Sequence, residues 1–315
     1  MKLQLIKTIG SPVSGKDQSI WISAKDKSFY ITDRWKVVRI DPSENFEIRV
    51  ISETADQEDA YQMKGIYDKR LPDPLYDEIS AGGIAGFKLL SKTDYDSIDS
   101  PAGSASFLEM ANRYGPIDRN LPLLAHNASI VTFGNKSLWM ERMEGNALIS
   151  IDTVKTKGKA PVHAHLHPNL NLIVYGTNYG EIYGQYFNEN SFGKAIKIDN
   201  LQKPCYQTGF TQDGEYLIVC GMGYVKLYIE KAGTYSEIST IQTSARSFEI
   251  LENYLILNKG MHGMDVFLIG DKPEKKGSLE LPFAIDRMIC HQPERLMLLT
   301  SNPHGEIAFV KLTDQ

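Results

Sequence analysis

The sequence predicts an all-β chain built from repeated four-stranded sheets, and three observations carry the prediction. Residues 167–183, HPNLNLIVYGTNYGEIY, align without gaps on residues 212–228, QDGEYLIVCGMGYVKLY, at a shift of 45. Leu172/Leu217, Ile173/Ile218, Val174/Val219, Gly176/Gly221, Tyr179/Tyr224 and Tyr183/Tyr228 are identical across that shift. Two further copies follow, ENYLILNKGMHGMDVFLI from Glu252 and PERLMLLTSNPHGEIAFVKL from Pro293, the second repeating the Gly-Glu-Ile of 180–182 at 305–307. Finally, the last copy stops one strand short, while KLQLIKTI at the N-terminus reads as a strand with no local partner.

A period of 40 to 45 residues filled with short β-rich runs is the signature of β-propeller blades, each a four-stranded sheet. In the clearest copy, alternation and turn chemistry place strands near Tyr206–Phe210, Tyr216–Gly221, Val225–Ile229 and Ser236–Ile241. Asp213-Gly214 supplies the positive φ that the first hairpin requires. Related units begin near Ser19 and Ser129. Pairing the N-terminal strand with the last three strands would close the ring and remove an open sheet edge. The expectation is a single domain over residues 1–315, a propeller of seven blades, or of six if residues 53–126 are an insertion and not a degenerate blade.

These units resemble WD40-type blades: a hairpin turn, an apolar second strand, a Gly or Asp turn and an aromatic-rich third strand. The resemblance covers most of the chain and implies a propeller fold. No Gly-His pair opens a unit and no Trp-Asp pair closes one.

The stretch 53–126 breaks the pattern. Residues 53–100 hold eleven Asp or Glu against five Lys or Arg, with Tyr61, Tyr67, Tyr76 and Tyr95 interleaved. One short helix is predicted there: Ser106 and Glu109 make a capping box, Phe107, Met110, Ala111 and Tyr114 share a face, and Gly115-Pro116 ends it. Such an insertion either covers a blade edge or offers a surface to a partner.

Composition narrows the function. A net charge of −5 excludes affinity for nucleic acid that rests on phosphate neutralisation. No apolar run is long enough for a membrane helix, so a soluble cytoplasmic protein without a membrane contact is expected. Cys205, Cys220 and Cys290 are widely spaced in apolar runs and read as buried free thiols.

The turns joining second and third strands all open on one rim of a propeller. They place Arg34, Trp35, Asn178, Tyr179, Tyr224, His262 and His304 there, a set with the composition of interface hot spots. The leading expectation is therefore a protein-interaction module or scaffold, inhibitory or immunity-like in one form, using this rim and the acidic stretch. The acidity favours a basic partner. The alternative is a propeller hydrolase or lyase of lactonase type with a site at the channel mouth. Small-molecule sensing in the channel is a third reading.

His163, His165 and His167 alternate, so on a strand they point the same way, as metal ligands would. At the shift of 45 they match Thr208, Phe210 and Gln212 on a first strand and its turn, which favours packing over a metal site. No cofactor is expected. Gly10 to Lys16 fits the spacing of a phosphate-binding loop, but Asp17 replaces the hydroxyl residue and strands follow in place of a helix.

Overall fold

The computed structural model describes residues 2–13, 19–22, 28–32, 36–53, 123–126, 129–133, 137–144, 147–158, 161–231, 233–292, 294–301 and 305–314. The chain opens with β1 (Lys2–Gly10). The first sheet is β2 (Ser19–Ile22), β3 (Phe29–Thr32), β4 (Lys36–Asp41) and β5 (Glu47–Glu53). The second is β6 (Leu123–His126), β7 (Ser129–Phe133), β8 (Ser137–Glu144) and β9 (Ala147–Lys155). The third is β10 (Pro161–Leu166), β11 (Leu172–Thr177), β12 (Glu181–Phe187) and β13 (Phe192–Asn200). The fourth is β14 (Cys205–Phe210), β15 (Tyr216–Gly221), β16 (Tyr224–Lys231) and β17 (Thr234–Gln242). The fifth is β18 (Ser247–Leu251), β19 (Tyr254–Asn258), β20 (Met264–Leu268) and β21 (Glu274–Leu279). In the sixth, β22 (Ile285–His291), β23 (Leu296–Ser301) and β24 (Glu306–Thr313) are completed by β1, which pairs antiparallel with β24 from Lys2↔Thr313 to Gly10↔Glu306. The unpaired N-terminal strand and the missing last strand thus satisfy each other.

The second strand of each sheet explains why the sheets stack. β11, β15, β19 and β23 are apolar nearly throughout, and successive side chains enter opposite interfaces. Leu172 and Val174 pack against the fourth sheet, Ile173 and Tyr175 against the second. Leu217 and Val219 face the third sheet, Ile218 and Cys220 the fifth. Leu255 and Leu257 turn back to the fourth sheet while Ile256 meets the sixth. Met297 and Leu299 complete the cluster with the fifth sheet, and Leu296 and Leu298 pack with Phe29, Ile31, Val38 and Ile40 of the first. Each such buried side chain stabilises the stack by roughly 1.5–3 kcal/mol.

Five hydrophobic clusters therefore join six sheets in the order second, third, fourth, fifth, sixth, first. The first strands β10, β14, β18, β22 and β2 run closest together, so they form the inner wall of the stack. The remaining step, from the first sheet to the second, spans residues 54–122, outside the described residues. So do the acidic stretch beyond Glu53, the helix at 106–114 and any seventh sheet. Residues 123–126, provisionally grouped with that stretch, are the first strand of the second sheet. All three cysteines are free and buried, and burial pushes the Cys220 thiol up to about 12. Among the described residues no helix is long and apolar enough to cross a membrane.

Candidate functional site

Three consecutive turns between second and third strands shape one end of the stack. In the β11–β12 turn, Thr177 Oγ1 accepts from the amides of Tyr179 (3.3 Å) and Glu181 (3.0 Å), and Gly180 takes φ +83. Only glycine fits at 180, because a Cβ there would meet the backbone of Lys203. Asn178 and Tyr179 are left pointing outward, Tyr179 at 61% exposure. In the β15–β16 turn the amide of Met222 donates to Pro204 O at 2.9 Å, and Gly223 at φ +88 completes the reversal. The Met222 side chain is 55% exposed.

The β19–β20 turn is longer and held from beneath. Buried Asn258 accepts from Gly260 N (2.8 Å) through Oδ1 and donates through Nδ2 to Ser247 Oγ (3.0 Å). A single 3-10 turn, Gly260–His262, then lifts Met261 to 76% exposure with His262 beside it. Met261, Tyr179 and Met222 are the three most exposed large apolar side chains among the described residues. Tyr206, at the start of β14 and 40% exposed, stands inside the arc they make.

Below this arc lies a cavity of about 820 Å³. The starts of β14, β18 and β22 wall it with Gln207, Arg246, Ser247, Glu249, Asp286 and Arg287, and Asn178 leans over it from the rim. Gln207 is committed to structure, because its amide donates to Phe248 O (3.0 Å) and accepts from Phe248 N (2.9 Å). Glu249 faces β22, where burial pushes its carboxyl up to about 8 and the Cys290 amide partly offsets this by hydrogen bonding. The residue is partly buried and lines the cavity, and desolvation of its carboxyl favours the neutral form.

The residues expected on the rim divide three ways. Asn178, Tyr179 and His262 are exposed on adjacent turns. Tyr224 is a correction: it is 5% exposed, packs between the third and fourth sheets and sends its hydroxyl toward Lys203 O at 3.4 Å. Its aromatic ring served the core once β16 began at Tyr224, leaving Met222 to take the outward position. Arg34, Trp35 and His304 lie outside the described residues. Met222 and Met261 were not singled out, although both stand in turns that the repeat had located.

The three histidines do different things. His163 pairs with Gly176 in the β10–β11 ladder. Solvent reaches His165 while surrounding protein lowers its pKa by desolvation, and its Nδ1 lies 3.2 Å from Leu166 O. His167 is buried, its ring 4.7 Å from that of Phe210, and its Nδ1 accepts from the amides of Asn169 and Leu170, each at 3.0 Å. That acceptor role occupies Nδ1, and the other ring nitrogen donates to the Gly214 backbone, so both nitrogens are engaged without a metal. Among the described residues no group of three or more His, Cys, Asp or Glu is arranged to hold a metal ion.

No family model matches the chain, and no curated protein matches it. Its similarity lies in solved structures. The β-propeller domain of Cps50 (Swd1) from Myceliophteria thermophila superposes with a TM-score of 0.62 at 11% identity, covering 99% of this chain and 100% of that one. The fold is a β-propeller. A second similar structure, a functionally unknown protein from Desulfotomaculum acetoxidans DSM 771, has a TM-score of 0.49 at 8% identity, over 58% of this chain and 62% of that one. In propeller terms, the three turns crown one rim and the cavity opens beside them among the inner strands β2, β14, β18 and β22.

Proposed function

We propose that the protein is a cytoplasmic protein-interaction module that holds a partner on the rim carrying Asn178, Tyr179, Met222, Met261 and His262. One observation carries the reading. The three most exposed large apolar side chains of the described residues come from three successive turns of the same rim. Aromatic and Met side chains raised on turns that are fixed from below present apolar area at small entropic cost, which is the composition of interface hot spots. Arg34, Trp35 and His304 fall in the corresponding turns of the other sheets by sequence and would extend the same surface. The acidic stretch 53–100 favours a basic partner, whose affinity would fall with salt. An inhibitory or immunity-like role is one form of this reading.

The test is photo-crosslinking from defined positions. A photoreactive residue at Met222 or Met261 should capture one partner in cells, and one at Leu170, on the opposite end, should not. Substituting Tyr179, Met222 and Met261 together with Ala should weaken the partner's affinity by about a hundredfold, or about 2–3 kcal/mol. Equal capture from position 170, or undiminished affinity of the triple variant, would refute the rim as the interface.

The second reading, a hydrolase or lyase, draws on Glu249, a carboxyl that keeps its proton near neutral pH in the wall of the cavity. Turnover lost in a Glu249→Gln variant that leaves partner capture intact would favour it.

A further inference from the structure

The cavity has a charge imbalance that the rim reading does not use. Arg246 lines the cavity with its side chain laid over Gly260, where a Cβ would come within 3.3 Å of Nε, so the bare glycine makes room for it. Among the described residues this guanidinium has no ion-pair partner. Arg287 lines the same cavity from β22, with Asp286 Oδ2 at 3.9 Å from its Nε. The only other carboxyl among the described residues that line the cavity is Glu249. We propose that this cavity is a binding site for a small polar oxyanion, a carboxylate- or phosphate-bearing metabolite, with Arg246 as its principal anchor and Arg287 beside it.

Size and chemistry agree with that class. A cavity of about 820 Å³ lies within the range of small-molecule sites. Arginine forks match planar carboxylates and phosphates and are weakly hydrated, so they lose little on binding. Glu249 packs against the Cys290 thiol and amide on β22 and shares the cavity lining with Arg246, which precedes β18, with Asp286 and Arg287 on β22, and with Gln207 and Tyr206 on β14. Burial pushes its carboxyl up to about 8, so near neutral pH the described lining residues set two guanidinium groups against one ionised carboxylate, Asp286. A protonated carboxyl also donates a hydrogen bond to an anion. As pH rises through about 8, Glu249 ionises and opposes the bound anion.

The inference is independent of the rim reading, and the experiment keeps the two apart. Isothermal titration calorimetry at about 0.15 M NaCl would use gluconate and glucose 6-phosphate as probes, inorganic phosphate to test the group alone, and glucose as the neutral control. At least one anion should bind at one site per chain and glucose should not, with gluconate and the phosphates telling a carboxylate site from a phosphate site. Arg246→Ala should weaken that binding by about tenfold or more. Arg287→Ala provides a second variant should the first lose its circular dichroism spectrum. Wild-type affinity should fall between about pH 7 and pH 9, and Glu249→Gln should flatten the profile. The triple Ala variant at Tyr179, Met222 and Met261 should still bind the anion. No binding by any probe, or binding unchanged in both arginine variants, would overturn the proposal.

Discussion

The two ends of the propeller are built from the same sheets and spend their side chains differently. At the end formed by the turns between first and second strands, polar groups sew the chain to itself and to its neighbours. His167 accepts from two amides, and Asn169 Nδ2 donates across to Asp213 O. Thr211 Oγ1 bonds Asp213 at 2.6 Å and accepts from Tyr216 N. Gln292 donates to Ile250 O and accepts from Glu252 N, tying the sixth sheet to the fifth. The large apolar side chain most exposed there is Leu170, at 44%. At the rim end, Thr177, Asn258 and the positive-φ glycines satisfy the turns from within, so Tyr179, Met222 and Met261 have no structural duty. Stability is concentrated at one end, and side chains available for contact at the other.

Removing a sewing residue is the harshest way to break this comparison. His167→Ala leaves two backbone donors without their acceptor and withdraws a ring from Phe210, so a loss of about 2–4 kcal/mol is expected in chemical denaturation. The same site has a pH signature. Burial desolvates the charged ring and lowers the folded-state pKa of His167 below its ordinary value of 6.5, and the neutral ring is the form whose Nδ1 can accept. The stability it contributes is present above 6.5 and is lost as pH falls through the folded value. His165 shifts in the same direction, so the expected result is a weaker acid dependence in His167→Ala, not its disappearance.

Glu249, in the wall of the cavity, should behave in the opposite sense. Its carboxyl moves from an ordinary 4.5 to about 8, so the folded chain holds a proton that the unfolded chain releases. Its contribution is most favourable below 4.5 and is lost as pH rises toward 8. Glu249→Gln keeps an acceptor for the Cys290 amide without the buried charge. A gain of about 1–3 kcal/mol at pH 9, shrinking toward zero near pH 4, is expected from thermal unfolding followed across that range. A gain independent of pH would show that burial of the charge is not what sets this carboxyl apart.

Much of this architecture was legible because both of its signals are local. The fourth sheet emerged within two residues of its expected bounds, since Asp213-Gly214 fixed a turn and a wholly apolar strand such as Tyr216–Gly221 has to be buried on both faces. The repeat also reinterpreted the histidine triplet, and His167 indeed builds a turn. Tyr224 misled because in the sequence it falls within the turn between second and third strands, which opens on the rim, although its identity with Tyr179 is equally compatible with a structural role. In fact the two turns differ: Gly180 follows Tyr179, whereas Gly223 precedes Tyr224 and delivers it into the strand. Arg246 and Glu249 could not be picked out, since β22 beside Glu249 belongs to a separate repeat and Arg246 meets Gly260 only across the folded hairpins of its own sheet. A lone charge on an inner strand has no periodicity to betray it.

The smallest expected effect on stability is also the sharpest discriminator. Replacing Tyr179, Met222 and Met261 one at a time with Ala should change unfolding free energy by no more than about 0.5 kcal/mol each, because exposed side chains outside caps and networks contribute little. The hydrogen bonds of their turns come from Thr177, Pro204 and Asn258 and survive these truncations. The same three changes made together should weaken the partner's affinity by about a hundredfold. A side chain that costs binding but not folding is placed for contact. A loss above about 1 kcal/mol at any of the three positions would mean that its apolar surface is covered in the folded chain, and the contrast between the two ends would fail there.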